Sequence, residues 1–386
     1  MSRLAIDIGY CRDVLERLLQ IPSPTGYTDT VVRAVSAELT SLGLPLELTR
    51  RGAIRSKLPG QSRRPARAII SHLDTLGAQV RGLKENGRLA ICSIGNWSAR
   101  FAEGARCTIF SEKGAYRGTI LPLKASGHTF NEEIDTQPVG WDHIEIRVDA
   151  FARHRRDLVK LGIDVGDIVA IDPGTEFLDN GFIVSRHLDN KAGVAVMLAA
   201  LKALREDRAE PPVDIWWLFS IAEEVGVGAS SLLAPDIASM VTVDNGTTAP
   251  GQNSDEFGVT ISMADQTGPF DYHLTKKLVR LCREHDIRHQ KDVFRYYRSD
   301  SASAIEAGAD VRTALITFGV DASHGYERIH MHALRSLAEL ITAYVTSPVE
   351  IQRDAIELGR LEGFTTQSMA EAEQSLSAEV RLAGQG

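Results

Sequence analysis

The sequence lacks the features that mark secreted, disulfide-bonded and membrane proteins. It contains four cysteines (Cys11, Cys92, Cys107 and Cys282), and no two form a Cys-x-x-Cys pair, so we expect reduced thiols rather than disulfides or a zinc ribbon. No apolar run approaches the roughly 18 residues of a transmembrane helix. The opening MSRLAIDIGY interrupts its apolar residues with charges, and no small-residue cleavage site follows. We therefore predict a cytoplasmic protein with neither a secretion signal nor a membrane partner.

Positive charge is also scarce. The chain has 43 Lys and Arg residues against 51 Asp and Glu residues, which gives a net charge of -8. A nucleic-acid-binding face needs a basic surface, so this balance argues against a nucleic-acid partner.

The composition and the length indicate a folded protein with more than one domain. Hydrophobic residues make up 43% of the chain and charged residues 24%, a composition that excludes disorder. A length of 386 residues exceeds what one core usually organises, so we expect two domains.

Most of the chain alternates between helical and strand patterns. Apolar residues at helical spacing cover 11–20, 28–42, 189–205, 270–286 and 331–346, and apolar runs of strand length cover 66–71, 213–221, 239–244, 257–263 and 311–317. Continuous apolar strands that alternate with helices are typical of a mostly parallel sheet sandwiched between helices. We therefore predict an α/β fold for residues 1–75 and 179–350.

Residues 76–178 show a different pattern. They contain short, Gly-rich periods such as GAQVRGLKENGRLAICSIGNW (77–97), which indicate hairpins and a barrel. We predict a small β-barrel domain inserted into the α/β domain. The tail at 351–386 is rich in Ala, Glu and Gln, and we expect either a peripheral helix or a disordered segment there.

Polar residues suited to catalysis follow the predicted strands. The set consists of His72 and Asp74 after strand 66–71, Glu223 and Glu224 after 213–221, Asp244 at the end of 239–244, and His324 after 311–317. In doubly wound sheets, sites form outside the carboxyl ends of the strands. These side chains are therefore expected to meet in one crevice.

Such a meeting would crowd up to five carboxylates together, those of Asp74, Asp189, Glu223, Glu224 and Asp244. At separations of a few ångströms they would repel one another by several kcal/mol, and some would be forced to take up protons. Divalent cations remove this conflict. A set of imidazoles and carboxylates without a thiolate suits zinc, cobalt or manganese.

Each candidate has a plainer alternative when it is considered alone. Asp189 could cap the helix that begins there, and Asp244 could be a turn residue before Asn-Gly. The Glu-Glu pair could lie on a solvated surface. His324 competes with His330 and His332 for the part of ligand.

Six segments in a fixed order resemble a known family. They are SHLDTLG (71–77), SRHLDNKAGV (185–194), AEEVGVGAS (222–230), VTVDNG (241–246), RSDSASA (298–304) and ASHGYER (322–328). The sequence resembles the tetrahedral aminopeptidases, also called the glutamyl aminopeptidase or cellulase M family, which are dinuclear metallopeptidases. The resemblance runs from residue 71 to residue 328. It implies a zinc-peptidase-like catalytic domain that removes N-terminal residues from short peptides.

The resemblance also assigns a role to each candidate. It implies two divalent metal ions per chain, zinc or else cobalt or manganese, held by His72, Asp189, Glu224, Asp244 and His324. Asp189 would bridge both ions, Glu223 would be the general base, and Asp74 would fix the orientation of a nearby ligand. Two positions depart from the family pattern, which usually has an acidic residue in place of Asn190 and Ser-Pro in place of Gly325-Tyr326.

The resemblance also implies an assembly. In the resembling family the inserted domain mediates assembly into hollow, twelve-subunit tetrahedra built from dimers, so we expect a homo-oligomer that admits short peptides.

The position of the insertion bears on two rival functions. Deacylases and carboxypeptidases of the same clan usually carry their extra domain after the fourth ligand, whereas here it lies between His72 and Asp189. A non-catalytic binding protein would have lost a ligand or the base, and the sequence keeps all of them. Residues 251–274 are expected to help shape the substrate pocket.

Overall fold

The computed structural model describes residues 4–356 and 359–367. Its helices are α1 (Ile8–Leu19), α2 (Asp29–Ser41), α3 (Ala99–Ala102), α4 (Gly127–Phe130), α5 (Glu133–Thr136), α6 (Arg155–Leu161), α7 (Leu188–Glu206), α8 (Tyr272–Glu284), α9 (Asp300–Glu306) and α10 (Met331–Thr346). Two short 3-10 helices cover Trp141–His143 and Gln352–Ala355.

The strands fall into three consecutive groups along the chain. The first group is β1 (Leu46–Leu48), β2 (Ile54–Leu58) and β3 (Ser62–His72). The second is β4 (Gly77–Leu83), β5 (Arg88–Ile94), β6 (Arg106–Ser111), β7 (Gly114–Pro122), β8 (Ile144–Val148) and β9 (Ile168–Ile171). The third is β10 (Glu176–Phe177), β11 (Phe182–Ser185), β12 (Val213–Ser220), β13 (Ile237–Thr248), β14 (Val259–Asp265), β15 (Gly268–Pro269), β16 (His289–Val293), β17 (Arg312–Asp321) and β18 (Glu327–His330).

The first and third groups form one mixed sheet of twelve strands. At its centre, β12, β3, β13 and β17 run parallel to one another in that order, and most of their residues are buried. Antiparallel strands flank this centre, with β2 beside β12 and with β14 and β18 beside β17. Helices α7, α8, α9 and α10 pack against the sheet. The predicted α/β fold class is confirmed, and outside the central strands β14 and β16 also pair in parallel.

The second group forms a closed barrel in the order β4-β5-β8-β7-β6-β9. Residues that alternate along these strands, such as Leu89 and Ile91 in β5, fill a separate hydrophobic core. The Gly-rich pattern correctly predicts this barrel. Beyond it, β10 pairs with β11, and β11 pairs with β18 in the large sheet. The domain limits at residues 76 and 178 stay a prediction.

The remaining expectations on thiols, membrane spans and the tail concern smaller features. All four cysteines are free thiols, as expected. Over 4–356 and 359–367, no helix combines the length and apolarity that a membrane span needs. The tail shows one short 3-10 helix, Gln352–Ala355, and its residues 357, 358 and 368–386 lie outside the described residues.

Lys191 joins the first helix to the helix that carries Asp189. Its side chain is buried in α7, and its Nζ donates to the Leu18 carbonyl oxygen at 2.8 Å and to the carbonyl oxygen of Ile21. Burial lowers the pKa of Lys191 to about 7. These carbonyls lie at the carboxyl end of α1, where the helix dipole favours a positively charged donor.

We predict that Lys191→Met lowers the free energy of unfolding by about 1–3 kcal/mol, because a buried carbonyl loses its donor. The Leu18 carbonyl keeps the backbone N–H of Ile21 at 3.0 Å, so the Ile21 carbonyl bears the main loss. Denaturant unfolding measures the change. Lys202→Met in the same helix is the matched control. It removes ion pairs to Asp7 and Glu206 at the surface, so its effect should stay below about 1 kcal/mol. Equal losses in the two variants would contradict the assignment.

Candidate metal centre

The candidate ligands lie at the carboxyl end of the parallel strands. His72 is the last residue of β3, and Glu223 and Glu224 follow β12. His324 comes shortly after β17, in a left-handed backbone conformation with a φ of 62°. Asp244 lies within β13 and not at its end as predicted, because this strand continues to Thr248. The strand continues there because Asp244, Asn245 and Gly246 pair with β17. This pairing also excludes the turn alternative for Asp244.

The other plain alternatives do not fit the structure either. The Asp189 carboxylate is engaged away from α7, because its Oδ1 faces His72 and its Oδ2 faces Asn245 and His324. The side chains of Glu223 and Glu224 are only 14% and 3% exposed, so they do not form a solvated face. His330 and His332 were the alternatives to His324. His330 Nε2 lies 3.0 Å from the carbonyl oxygen of Asn180, and its ring packs with His332 and Phe257 in an aromatic cluster, so both histidines have other partners.

The candidates form two groups that share Asp189. In the first, His72 Nε2 lies 3.1 Å from Asp189 Oδ1 and 3.8 Å from Asp244 Oδ1. In the second, His324 Nε2 lies 3.2 Å from Asp189 Oδ2 and 3.9 Å from Glu224 Oε2. Each carboxylate oxygen of Asp189 therefore faces a different imidazole. This is the arrangement expected of a residue that bridges two cations.

The donor atoms also fit divalent metal ions in chemistry and spacing. Zinc–ligand bonds of 2.0–2.1 Å in a tetrahedron place two donors about 3.3 Å apart, close to the separations within each group. One donor atom from each of His72, Asp189 and Glu224 lies within 4.8 Å of the others. Glu224 Oε1 is buried and lacks a hydrogen-bond partner among the described residues. A buried carboxylate oxygen needs a partner, and a cation would supply one.

Burial raises the pKa of the carboxyl groups that face this point. The pKa of Glu223 lies well above its usual range because of burial, although His72 opposes the shift, and Asp244 reinforces it. Burial and the charge of Asp189 raise the pKa of Glu224 in the same way. Carboxyl groups that tend to hold their protons show that the pocket is short of positive charge.

The pKa shifts of Asp189 and of its two imidazoles instead favour the charged form of each group. Burial acts to raise the pKa of Asp189, but the hydrogen bonds to His324 and His72 hold it below its usual range. Burial acts to lower the pKa of His324, but Asp189 and Glu224 raise it to about 10. In the absence of other cations, protons on the imidazoles balance part of the negative charge.

Asp74 lies behind the two glutamates and acts on their backbone. Its carboxylate accepts the backbone N–H of Glu223 at 3.1 Å and that of Glu224 at 3.3 Å, together with the Thr25 hydroxyl at 2.6 Å. The Asp74 backbone carbonyl lies 2.9 Å from His72 Nδ1. A hydrogen bond to Nδ1 leaves Nε2 free for a metal ion. Asp74 thus fixes three candidate residues without facing the centre itself.

Three residues that the sequence did not single out complete this frame. Glu327 accepts the backbone N–H of Asp189 at 3.1 Å and that of His324 at 3.0 Å, and burial raises its pKa to about 8. Asn245 Nδ2 donates to Asp189 Oδ2 at 2.7 Å. The Asn96 carbonyl lies 2.9 Å from His324 Nδ1. Glu327 and Asn245 belong to the quoted segments ASHGYER and VTVDNG, which offered a signal, whereas Asn96 lies 228 positions from His324 and offered none.

Asp300 from the segment RSDSASA is also buried beside the site. Its Oδ2 accepts the Ser220 hydroxyl at 2.5 Å. Burial raises the pKa of Asp300 to about 6.

The two departures from the family pattern form hydrogen bonds to nearby backbone carbonyl groups. Asn190 Nδ2 donates to the Val243 carbonyl at 2.8 Å, and the Tyr326 hydroxyl donates to the carbonyl of Gly174.

A cavity of about 470 Å³ opens over the two groups. Its walls include Gly95 and Asn96 from the inserted segment, Gln266 after β14, and Tyr297 and Arg298 before α9. Gln266 belongs to residues 251–274, the segment expected to help shape the substrate pocket. A cavity of this size accommodates a small molecule or the end of a short peptide.

Comparisons with known proteins agree on one family. A family model described as M42 glutamyl aminopeptidase matches residues 52–340. "Putative aminopeptidase YhfE" of Bacillus subtilis (strain 168) is 38% identical over 338 residues, which cover 87% of this chain and 97% of the relative.

Solved structures show the same fold. The TET aminopeptidase of the marine sediment archaeon Thaumarchaeota archaeon SCGC AB-539-E09 matches with a TM-score of 0.79 and 16% identity, over 87% of this chain and 96% of that one. The TET1 peptidase of Pyrococcus horikoshii matches with a TM-score of 0.77 and 20% identity, over 88% and 100% of the two chains. With the family model covering most of its length, the chain belongs to the M42 glutamyl aminopeptidase family of peptidases.

Proposed function

We propose that this chain is a metallo-aminopeptidase that removes N-terminal residues from short peptides. Two divalent cations, zinc or else cobalt or manganese, would be held by His72, Asp189, Glu224, Asp244 and His324. The observation that carries the proposal is the pair of donor groups that share the two oxygens of Asp189. When bound, such ions polarise a carbonyl group and bring the pKa of a water molecule close to neutrality.

Glu223 is the proposed general base. Its carboxylate lines the cavity and lies 3.7 Å from His72 Nε2, while the Asp74 carboxylate holds its backbone N–H. Glu223 would accept a proton from the attacking water and return it to the nitrogen of the leaving amine. Burial raises its pKa, which suits a group that must hold the proton between these two steps.

The acidic lining also favours substrates with a free amino terminus. Glu223 and Asp300, which are not among the proposed metal ligands, both line the cavity. A protonated α-amine beside these carboxylates gains an ionic interaction that an internal peptide bond cannot make. This charge preference would direct cleavage to the first residue of a peptide.

Metal removal tests the function. We expect a chelator to abolish hydrolysis of a panel of aminoacyl-anilides and Zn²⁺, Co²⁺ or Mn²⁺ to restore it, with elemental analysis giving up to two ions per chain. N-acetylated versions of the same anilides are the matched control, and they should react slowly because they lack the α-amine. Preferential cleavage of the acetylated compounds, or release of C-terminal residues from peptides, would instead support a deacylase or a carboxypeptidase.

Substitution of the two adjacent glutamates distinguishes the general base from the metal ligand. We expect Glu223→Gln to lower kcat by about two to four orders of magnitude, because a general base is lost, while the metal content stays unchanged. Glu224→Gln should instead lower the affinity for metal, because an amide is a weaker ligand than a carboxylate. Kinetics and elemental analysis of both variants measure the difference. The reverse pattern would show that the two assignments are exchanged.

We also propose that the chain forms a homo-oligomer, specifically a dodecamer built from dimers, through the inserted residues 76–178. The exposed apolar side chains of Phe151, Val159 and Val165 in this segment support an interface. The TET1 peptidase of Pyrococcus horikoshii can assemble into a tetrahedron or a large octahedral shell. A closed shell would admit short peptides and exclude folded proteins.

Light scattering at micromolar concentration tests the assembly. We expect a particle with the mass of twelve chains. A triple replacement of Phe151, Val159 and Val165 by Ser should reduce this mass, whereas replacement of Leu361, which is also exposed but lies in the tail, should not. A stable wild-type monomer with full peptidase activity would overturn the assembly proposal and leave the chemistry unaffected.

A further inference from the structure

Tyr297 lines the cavity from a loop whose position is fixed by ring packing and by a backbone hydrogen bond. The loop joins β16 to α9, and the Tyr297 ring packs on a small hydrophobic cluster that contains Phe294 and Leu315. The centroids of the Tyr297 and Phe294 rings are 5.4 Å apart. The Tyr297 carbonyl accepts the backbone N–H of Gln266 at 3.0 Å. Both the ring and the backbone of Tyr297 are therefore held in place at the cavity wall.

The hydroxyl of Tyr297 is buried and has no hydrogen-bond partner within 3.5 Å among the described residues, although the Asp244 carboxylate lies close enough to interact with it. Asp244 is a proposed metal ligand, so a cation would engage its carboxylate in the loaded enzyme. A phenol is uncharged at neutral pH and can donate a hydrogen bond. A buried hydroxyl without a partner is unfavourable, and a bound molecule in the cavity would supply the acceptor.

The surroundings of this hydroxyl limit what it can bind. The proposed base Glu223 and the proposed ligands Asp189 and Asp244 line the same cavity, so the reacting peptide bond must lie among them. A phenolic O–H bonds more strongly to an anionic oxygen than to a neutral carbonyl oxygen. Its contribution is therefore larger in the transition state than in the bound substrate, which is the condition for catalysis.

We propose that Tyr297 is a catalytic residue whose hydroxyl donates a hydrogen bond to the oxygen of the scissile carbonyl group while that oxygen carries negative charge. The inference rests on the proposed peptidase function. As the water oxygen bonds to the carbonyl carbon, the electron pair of the C=O π bond moves to the carbonyl oxygen, and Glu223 takes the proton. The electron pair on the oxygen then re-forms the C=O bond as the C–N bond breaks, and the C–N electron pair leaves with the amine nitrogen, which receives that proton. Tyr297 keeps its own proton throughout.

Tyr297→Phe in the metal-loaded, full-length enzyme tests the proposal with the best anilide of the panel. We expect kcat to fall about a hundredfold, the effect of removing one donor to an oxyanion, with KM changed by less than about threefold. A phosphinic pseudodipeptide, which carries a tetrahedral anionic centre, should lose affinity by a similar factor. The affinity for the free amino acid product and the metal content should not change.

Two further measurements separate catalysis from structure. The free energy of unfolding of Tyr297→Phe should equal or exceed that of the wild type, because the lost hydroxyl has no partner within 3.5 Å in the part of the chain that the structure describes. Tyr116→Phe removes a barrel hydroxyl that donates to the Leu161 carbonyl at 2.9 Å, and it should leave kcat unchanged.

The results also distinguish this inference from the function on which it rests. An unchanged kcat in Tyr297→Phe, with an active wild type, would overturn only the inference. Equal losses of affinity for the phosphinic compound and for the product would also overturn only the inference. They would show that the contact does not depend on an anionic oxygen. A wild-type enzyme that is inactive on the whole panel would overturn both proposals.

Discussion

Repulsion among buried carboxylates is the constraint on which this site depends. The structure meets it in two ways. The outer carboxylates of Asp74 and Glu327 each accept two backbone N–H groups from neighbouring site residues, which offset part of their charge. The inner carboxylates of Asp189, Glu224 and Asp244 face one another and two imidazoles, and Asp244 also accepts the backbone N–H of Asn245. Negative charge is therefore concentrated at the point where the proposed cations would bind.

This division explains why the outer residues matter as much as the inner ones. Asp74 accepts the N–H groups at the end of β12, and Glu327 ties the start of α7 to the segment after β17. Lys191, two residues beyond Asp189, anchors the same helix to the carboxyl end of α1. The positions of the inner carboxylates are thus set by hydrogen bonds between elements that are distant in sequence. A site of this kind is pre-organised before any ion or substrate enters.

Much of this arrangement could be predicted from the sequence, because apolar runs mark the central strands and the polar residues come directly after them. The helices at 189–205 and 331–346 and the strand that leads to Glu223 are found close to their predicted limits, whereas the strand that leads to His72 begins at Ser62 and not at residue 66. The short antiparallel strands β1, β10 and β15 could not be predicted, because three residues or fewer carry no periodicity. Asp244 was placed at a strand end because polar residues usually terminate an apolar run, yet pairing with β17 extends the strand through it. Tyr297 and Asn96 could not be found because their position follows from tertiary packing alone.

The hydrogen bond between the Asn96 carbonyl and His324 has a consequence for how this architecture could have evolved. Asn96 follows β5 of the barrel, and His324 lies between β17 and β18 of the large sheet. An insertion that merely decorates a fold can be shortened, exchanged or deleted, and its sequence is free to drift. Here the insertion supplies a backbone group that orients a candidate ligand, and its Gly95 borders the cavity. Deletion of the barrel would therefore remove a contact to His324, and an ancestor without the barrel would have needed another group to orient this histidine.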